Sequence, residues 1–540
     1  MSNAAFWLIT ALLLYKYILY PLCLTSLSKL PSAHWSCSIS PIWILWARFQ
    51  SRENKTLFEA HERCGPIVRV GPHEVSIADM ELVKDVYQGG FDKHEWYSVF
   101  NNYGVPCAFS AQESKHHSVR KRMVSHVYSK SFLHSSIALA SQCDEVINSR
   151  LLPLLDSSNG HGIDVHSLFP GTVMDLISAY CFGLCNGSNF IQRKGYREHW
   201  LALYKVRKTN GFFMQELPRL SRALQLLGLN LTPHWATAAN KELEAWCKSL
   251  SDAAIAMVQN PDLSSYEQTA NDPVVVRSIL SGIEKVESQI SPEMAATTVY
   301  SPLLRRRELS VASEVFDHVL AGQETTGVTL TYLTWHLSRS PTLQSELRAE
   351  LLGLTPNMHR RGGDGVGGKT ASMPDPKQLD ALPILQAVIL ETVRRYAPAG
   401  GPEPRVTPSP SCRVGLYEIP GSVRISASVY NLHRDERCFP SAETWDHRRW
   451  LRESEQDDSK EEEEEAREQR HRQFWGFSSG GRMCLGSNFA MYEMKLLIAA
   501  IYSNFASRIV NDDGIEPTDG YTAHPQSGQL WLGFDRITQL

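Results

Sequence analysis

The chain has 540 residues, of which 43% are hydrophobic and 21% charged, with a net charge of −4; that is ordinary globular composition. No repeat recurs at a fixed period, which argues against a solenoid or propeller. No basic stripe with interleaved aromatics marks a nucleic-acid surface either. Eleven cysteines, odd in number and without a C-x-x-C pair, argue against a disulfide framework and fit a reducing compartment.

The first element is the apolar run Ala4–Leu24, about one bilayer crossing at helical rise. Lys16 inside it costs roughly 2.5–3.5 kcal/mol at mid-membrane, which the Leu, Ile and Phe side chains offset. No side-chain charge precedes this run, whereas Lys29, Arg48, Arg52 and Lys55 follow it. The excess of positive charge places the C-terminal bulk in the cytosol and leaves the three N-x-S/T sequons idle. Residues 1–24 are therefore expected to be a membrane anchor, 25–50 a linker and 51–540 one catalytic domain. Ile67–Gly71 and Glu74–Ile77 flank a turn and read as a hairpin. Helical periodicity marks Ser118–Tyr128, Val173–Phe182, Ala236–Met257, Ser310–Leu337 and Leu379–Arg395. Breaks fall at Asn260–Asp262 and in the Gly-rich insertion Arg361–Thr370. Short strands are expected around Arg405–Val414 and Val423–Val429, a helix over Asn488–Asn504, and a last strand pair within Tyr521–Phe534. Between Glu453 and Glu465 nine acidic residues accompany one lysine; the stretch 453–473 reads as a solvated acidic loop. The elements together describe a mainly α, α+β chain.

The stretch Phe477-Ser-Ser-Gly480-Gly-Arg482-Met-Cys484-Leu-Gly486 holds the one cysteine in a glycine-rich turn that opens directly into a helix. Backbone N–H groups, the helix start and Arg482 each favour a thiolate there, and a thiolate under a flat ligand is how a protein feeds electron density to a haem iron. The alternative is a buried structural cysteine. The segment resembles the haem-binding signature of the cytochrome P-450 superfamily, Phe-x-x-Gly-x-Arg-x-Cys-x-Gly, with Phe477, Arg482, Cys484 and Gly486 at defined positions. The resemblance implies the P-450 fold, a large helical haem domain with small sheets, and haem b with Cys484 as the axial metal ligand.

Ala321-Gly-Gln-Glu324-Thr325-Thr326 puts a glycine and two threonines inside a long helix, locally poor choices that point to a groove beside a ligand. It resembles the oxygen-activation segment of the family, which makes Glu324 the acid and Thr325 the alcohol of proton delivery. Glu391-Thr-Val-Arg394 alone would be a surface pair worth a few tenths of a kcal/mol. In its context it resembles the family's Glu-x-x-Arg helix, whose third structural member is Arg449. His447 and Arg448 there depart from the usual Pro and Glu. Arg405 and Arg482 correspond to positions that bind haem propionates, and so, with changed residue types, do His117 and Lys121.

There is no Gly-x-Gly-x-x-Gly after a strand, so electrons must come from a separate protein, which the resemblance implies is an NADPH-cytochrome reductase, with cytochrome b5 as a further donor. A tethered, cytosol-facing domain fits the endoplasmic reticulum membrane. His34-Trp35, Phe58-Glu-Ala-His61 and Phe474–Glu493 resemble monooxygenases of filamentous-fungal secondary metabolism. The expected reaction is hydroxylation or epoxidation of a hydrophobic small molecule; rival readings are an isomerase or dehydratase needing no dioxygen, and a non-catalytic haem sensor. Phe100, Tyr103, Phe109, Phe316, Ala321, Pro398 and the turn Gln526–Gln529 are the residues expected near the substrate.

Overall fold

The computed structural model describes residues 3–537 except 159, 261–268, 361–372 and 452–459. The apolar N-terminal segment is helical: α1 (Asn3–Leu14) runs on as a wider π-type helix to Leu24. None of the span Ala4–Leu24 is buried, so the fold leaves this apolar surface uncovered; its length and composition fit a membrane span.

Thr25–Gln50, expected as a linker, is folded. Short 3₁₀ turns and α2 (Ile42–Phe49) bury Leu27, Leu30, Cys37 and Ile44. The reason lies in Arg69, a buried strand residue whose guanidinium donates to the Pro21 carbonyl (2.8 Å) and to Ser38 Oγ (3.1 Å). That cation needs acceptors, and the preceding chain wraps back to supply them.

After α3 (Glu53–Cys64) come β1 (Ile67–Gly71) and β2 (Glu74–Ile77), the expected hairpin, in register Ile67 to Ile77. The remaining strands are β3 (Asp92–Lys93), β4 (Ile163–Asp164), β5 (Arg405–Val406), β6 (Ser411–Val414), β7 (Tyr417–Pro420), β8 (Arg424–Ala427), β9 (Phe505–Asn511) and β10 (Trp531–Arg536). They make sheets of order β1-β2-β8-β5-β3, β4-β10-β9 and β6-β7. The last strand pair is β9 with β10, not two strands within Tyr521–Phe534; residues 521–528 are turn and bridge. Phe505–Asn511 follows a helix without a break, so its strand start carries no turn signal.

The principal helices are α4 (Ser114–Val124), α5 (Val165–Phe182), α6 (Lys194–Thr209), α7 (Phe212–Glu216), α8 (His234–Gln259), α9 (Arg307–Ser338), α10 (Pro383–Arg395), α11 (Lys460–Gln473) and α12 (Ser487–Asn504). The 32-residue α9 crosses the core, with Val315, Val319, Val328, Leu330 and Leu333 fully buried, each worth about 1.5–3 kcal/mol on burial. Its closest neighbour is α5, and a Cβ on Gly327 would stand 2.6 Å from Pro170 Cγ; only glycine allows this approach.

Two expectations change here. Leu379–Arg395 is two helices, Pro376–Asp380 and α10, because Pro383 has no N–H to continue the first and instead opens the second. The acidic stretch 453–473 is not loop throughout: α11 occupies Lys460–Gln473, where Arg467 reaches back to Glu464 and Arg472 to Glu468 and such i,i+3 and i,i+4 pairs support an exposed helix. Residues 453–459 of that stretch, residues 261 and 262 of the expected break and the Gly-rich insertion 361–370 lie outside the described residues.

A buried ion cluster joins elements far apart in the chain. Arg48 of α2 pairs with Glu53 (2.8 Å), with Glu74 and with Glu216 (3.0 Å). Arg424 of β8 pairs with Glu74 (3.1 Å) and Glu216 (2.8 Å), and the Trp96 indole donates to Glu216 (2.7 Å). Phe49 packs edge-on against Phe212 at 5.3 Å beside it. Thus α2 is clamped to α7.

Candidate active site

Between α9, α12 and the loop before it lies a cavity of about 1900 Å³. Its floor is the Trp475–Gly486 loop. Gly480 has φ +72°, and a Cβ there would collide with the Tyr87 carbonyl, so this turn demands glycine. The Cys484 N–H donates to the Phe477 carbonyl (2.9 Å), closing the loop beneath the sulfur. Cys484 lies deep in the molecule yet keeps an open surface, because it faces the cavity. Burial pushes its thiol up to about 11, with the Gly486 N–H and Lys121 opposing. The expectation that the frame alone favours thiolate is therefore corrected: burial wins, and a metal cation at the sulfur is what would deprotonate it. Arg482 adds nothing there, since its guanidinium donates to the carbonyls of Ala111 (2.5 Å) and Gln112.

Cations crowd one flank. Arg405 is 2% exposed; it takes Tyr97 Oη at 3.3 Å and lies 3.5 Å from Glu403 and 4.7 Å over the Tyr87 ring. Lys121 donates to the Gly481 carbonyl (2.8 Å). His117 is pushed down to about 3 by burial and then by Arg482, Lys93, Lys121 and Arg405. Lys93, absent from the sequence expectations, completes the group. It pairs in register with Arg405, donates to the Phe109 carbonyl (2.7 Å) and sits 4.0 Å over the Tyr97 and Phe109 rings. Burial, Arg405 and Arg482 hold its amine well below the usual lysine range. No local motif marks it, because the cations it joins, Arg405 and Arg482, lie hundreds of positions away.

On the opposite wall α9 is continuous through residues 321–326, so the locally poor residues do not break it. Ala321 and Thr325 open to the cavity, and Thr325 Oγ1 donates back to the Ala321 carbonyl (2.8 Å). Glu324 does not touch that hydroxyl. It faces α6 and the 518–524 turn, accepting from Tyr204 Oη (2.6 Å), Lys208 Nζ (2.5 Å), His524 Nε2 (2.6 Å) and Thr522 Oγ1 (3.2 Å). Burial would raise this carboxyl, but Lys208 and His524 outweigh it and hold it far below the usual carboxylate range. Thr326 instead donates to buried Glu493 (2.9 Å). Phe100, Phe109, Ala321 and Pro398 line the cavity as expected. Tyr103 and Phe316 pack behind its wall, and Tyr521 and Thr522, not Gln526–Gln529, reach it from the C-terminal turn.

Residues 38–530 match the family model for cytochrome P450. The chain belongs to the cytochrome P450 family. Among similar proteins, the cytochrome P450 monooxygenase FGM1 of Gibberella zeae is 26% identical over 477 residues, covering 86% of this chain and 84% of that protein. The cytochrome P450 monooxygenase stcB of Emericella nidulans is 24% identical over 514 residues, 92% and 86% of the two chains. The cytochrome P450 monooxygenase aflV of Aspergillus parasiticus is 25% identical over 480 residues, 88% and 84%. This P450 is a monooxygenase by class.

The family implies a haem-thiolate cofactor, and the residues fit it. A Cβ on Gly486, which lines the cavity with Cys484, would meet no atom within 4 Å, so there is free space beside the cysteine. The cavity exceeds the usual ~300–1,000 Å³ of a single ligand site, leaving room for a macrocycle and a substrate. The flank of Arg405, Arg482 and Lys121 has the excess positive charge that two propionates would neutralise, with Lys93 and the neutral His117 beside it as further donors.

The Glu391 side chain of this P450 is fully buried and receives five donors. Arg394 supplies two (2.8 and 2.9 Å), Arg449 Nε one (3.1 Å), the Trp450 indole one (2.9 Å) and the Asp446 N–H one (2.9 Å). The His447–Arg448 departure leaves this intact, because Asp446 caps the short helix His447–Trp450 by accepting from the Arg448 N–H (3.0 Å). His433, which the sequence did not single out, ties this core to the cysteine loop. Its Nε2 accepts from the Trp475 N–H (2.8 Å), so Nδ1 carries the proton and donates to the Arg394 carbonyl (3.2 Å). Burial and then Arg394 push it down to about 3, which keeps that neutral tautomer.

Proposed function

We propose that this P450 inserts one oxygen atom from O2 into a hydrophobic small molecule, by hydroxylation or epoxidation, as a tailoring step in fungal secondary metabolism. The observation that carries the reading is the cavity itself: an open cysteine sulfur on its floor, a threonine hydroxyl on its opposite wall and a cationic flank between. Haem b bound there supplies the oxygen-activating chemistry, with electrons from NADPH through a separate reductase and, as a second donor, cytochrome b5. Cys484 Sγ would ligate the haem iron, and Arg405, Lys93, Arg482, His117 and Lys121 would hold the propionates. Thr325 Oγ1, now bonded to a helix carbonyl, rotates to donate its hydrogen bond into the cavity. Glu324, held as a carboxylate by Lys208 and His524, anchors at the rim the proton-bearing side chains of those two residues, which refill that path. Phe100, Phe109 and Pro398 exclude water and favour an apolar substrate. The helix Ala4–Leu24 anchors the enzyme to the endoplasmic reticulum membrane with the catalytic domain in the cytosol, on the side where the flanking basic residues lie.

The test is the absorption spectrum of the reduced, CO-bound protein. It should show the red-shifted Soret band of thiolate ligation and lose it in Cys484→Ala; an ordinary histidine-type band in the unaltered enzyme overturns the assignment. NADPH consumption with reductase and candidate substrates then tests the reaction.

A further inference from the structure

Arg207 is a cation on the cavity wall that no carboxylate meets directly among the described residues. Its guanidinium donates to the side-chain oxygens of Asn240 and of Asn102 (2.8 Å), and it stacks 5.1 Å over the Phe316 ring. Both amides are themselves pinned, Asn102 Nδ2 to the Ser313 carbonyl (3.3 Å) and Asn240 Nδ2 to Glu244 (3.2 Å). Glu244 and Asp317 influence it only at longer range, and burial lowers it from the usual arginine value. Arg48, Arg424 and Lys208 of the cavity wall each hold a carboxylate, whereas Lys93 and Lys121 belong to the cationic flank beside Cys484.

An arginine taken out of water against neutral partners has lost hydration that amide oxygens only partly replace. Its planar fork matches a carboxylate in two parallel hydrogen bonds, and such charge-assisted pairs are roughly twice as strong as neutral ones. The residue lines the cavity, so the missing anion can come from a bound molecule. The place also sets a length. Phe316 precedes Thr325 by nine residues on α9, about 14 Å at helical rise.

We propose that Arg207 makes this P450 selective for substrates carrying a carboxylate on a large apolar body, on the order of 14 Å from the carbon that is oxidised. This deepens the monooxygenase reading and rests on it. The cavity wall thus carries a charged anchor beside Phe316, nine residues before Thr325 on α9.

The experiment compares 1-pyrenebutyrate with its methyl ester, two probes of one shape that differ in charge, by fluorescence anisotropy on the full-length holoenzyme. The expected result is an acid bound about tenfold tighter than the ester. Arg207→Gln should erase that preference by weakening the acid alone, and Arg207→Lys should keep part of it. Equal affinities in the unaltered enzyme overturn the proposal, and so does an Arg207→Gln variant that loses both probes together, which would make Arg207 a residue that merely holds α6. Should that variant fail to fold, the acid-to-ester ratio of the unaltered enzyme and its decline with salt decide. The CO spectrum of the same samples tests the haem-thiolate reading separately: a missing thiolate band with an intact acid preference sinks the reaction, not the anion site.

Discussion

Replacing Glu391 by Gln keeps the volume and removes one charge, which isolates what the buried carboxylate contributes. Its oxygens accept from Arg394, Arg449, the Trp450 indole and the Asp446 N–H. A glutamine whose oxygen takes the place of Oε1 keeps Arg394 Nη2, Arg449 and Asp446, but turns an NH2 group toward Arg394 Nε and the Trp450 indole. Two buried donors then face a donor, at about 1–3 kcal/mol each, and two arginines lose their counter-charge. The sum agrees with the ~3–5 kcal/mol typical of breaking a buried pair by one partner, a large fraction of a total stability of ~5–15 kcal/mol. The thermal unfolding midpoint followed by tryptophan fluorescence should fall by about 3–4 °C, the shift per kcal/mol being small in a long chain. Glu443 is the control: it pairs with Arg434 and Arg395 but is 63% exposed, so Glu443→Gln should cost under about 1 kcal/mol. Equal, small shifts for the two variants would refute the argument that burial sets the cost.

Three further outcomes follow from named groups. Burial raises Glu216, but Arg424 and Arg48 outweigh it and hold it at about 2; its stabilisation is present above the ordinary glutamate value of about 4.3 and lost as pH falls toward 2, so the stability gap between the enzyme and Glu216→Gln should close over that window in pH-dependent melts. Glu493 is opposite in sign, since burial lifts it well above the usual range despite the Thr326 hydrogen bond. Glu493→Gln should therefore change stability by under about 1 kcal/mol at acid pH and gain on the unaltered enzyme as pH rises; a loss that grows with pH would contradict a protonated Glu493. Gly480→Ala, with a positive φ and a Cβ driven into the Tyr87 carbonyl, should abolish the thiolate CO band while Gly481→Ala, whose Cβ meets nothing, preserves it; a normal band in both would show that the turn tolerates a side chain.

What could be read from sequence alone was chemistry packed into contiguous residues. The Phe477–Gly486 loop carries its turn glycine, its cysteine and its helix start within ten positions, and α9 declares itself by apolar period. The partners of those residues were out of reach. Lys93 becomes a site residue only because β3 pairs with β5, and Tyr204, Lys208 and His524 meet Glu324 from an α-helix and a turn at opposite ends of the chain. Thr25–Gln50 looked like a linker because of its prolines, serines and tryptophans; it is held instead by Arg69, whose need for acceptors is invisible in a strand sequence. Cys484 shows the converse error: local features argued for thiolate, and burial, a tertiary property, overrode them.

The clamp of Arg48 onto Glu216 has a mechanical meaning. Both residues line the cavity, and Arg48 stands on the first long helix after the apolar span, so the door of the cavity is hinged to its own mooring. An outward swing of α7 must either drag α2 or break two buried ion pairs at once. Were the apolar helix seated in a bilayer, a pull on it would reach the cavity wall through this clamp of α2 onto α7.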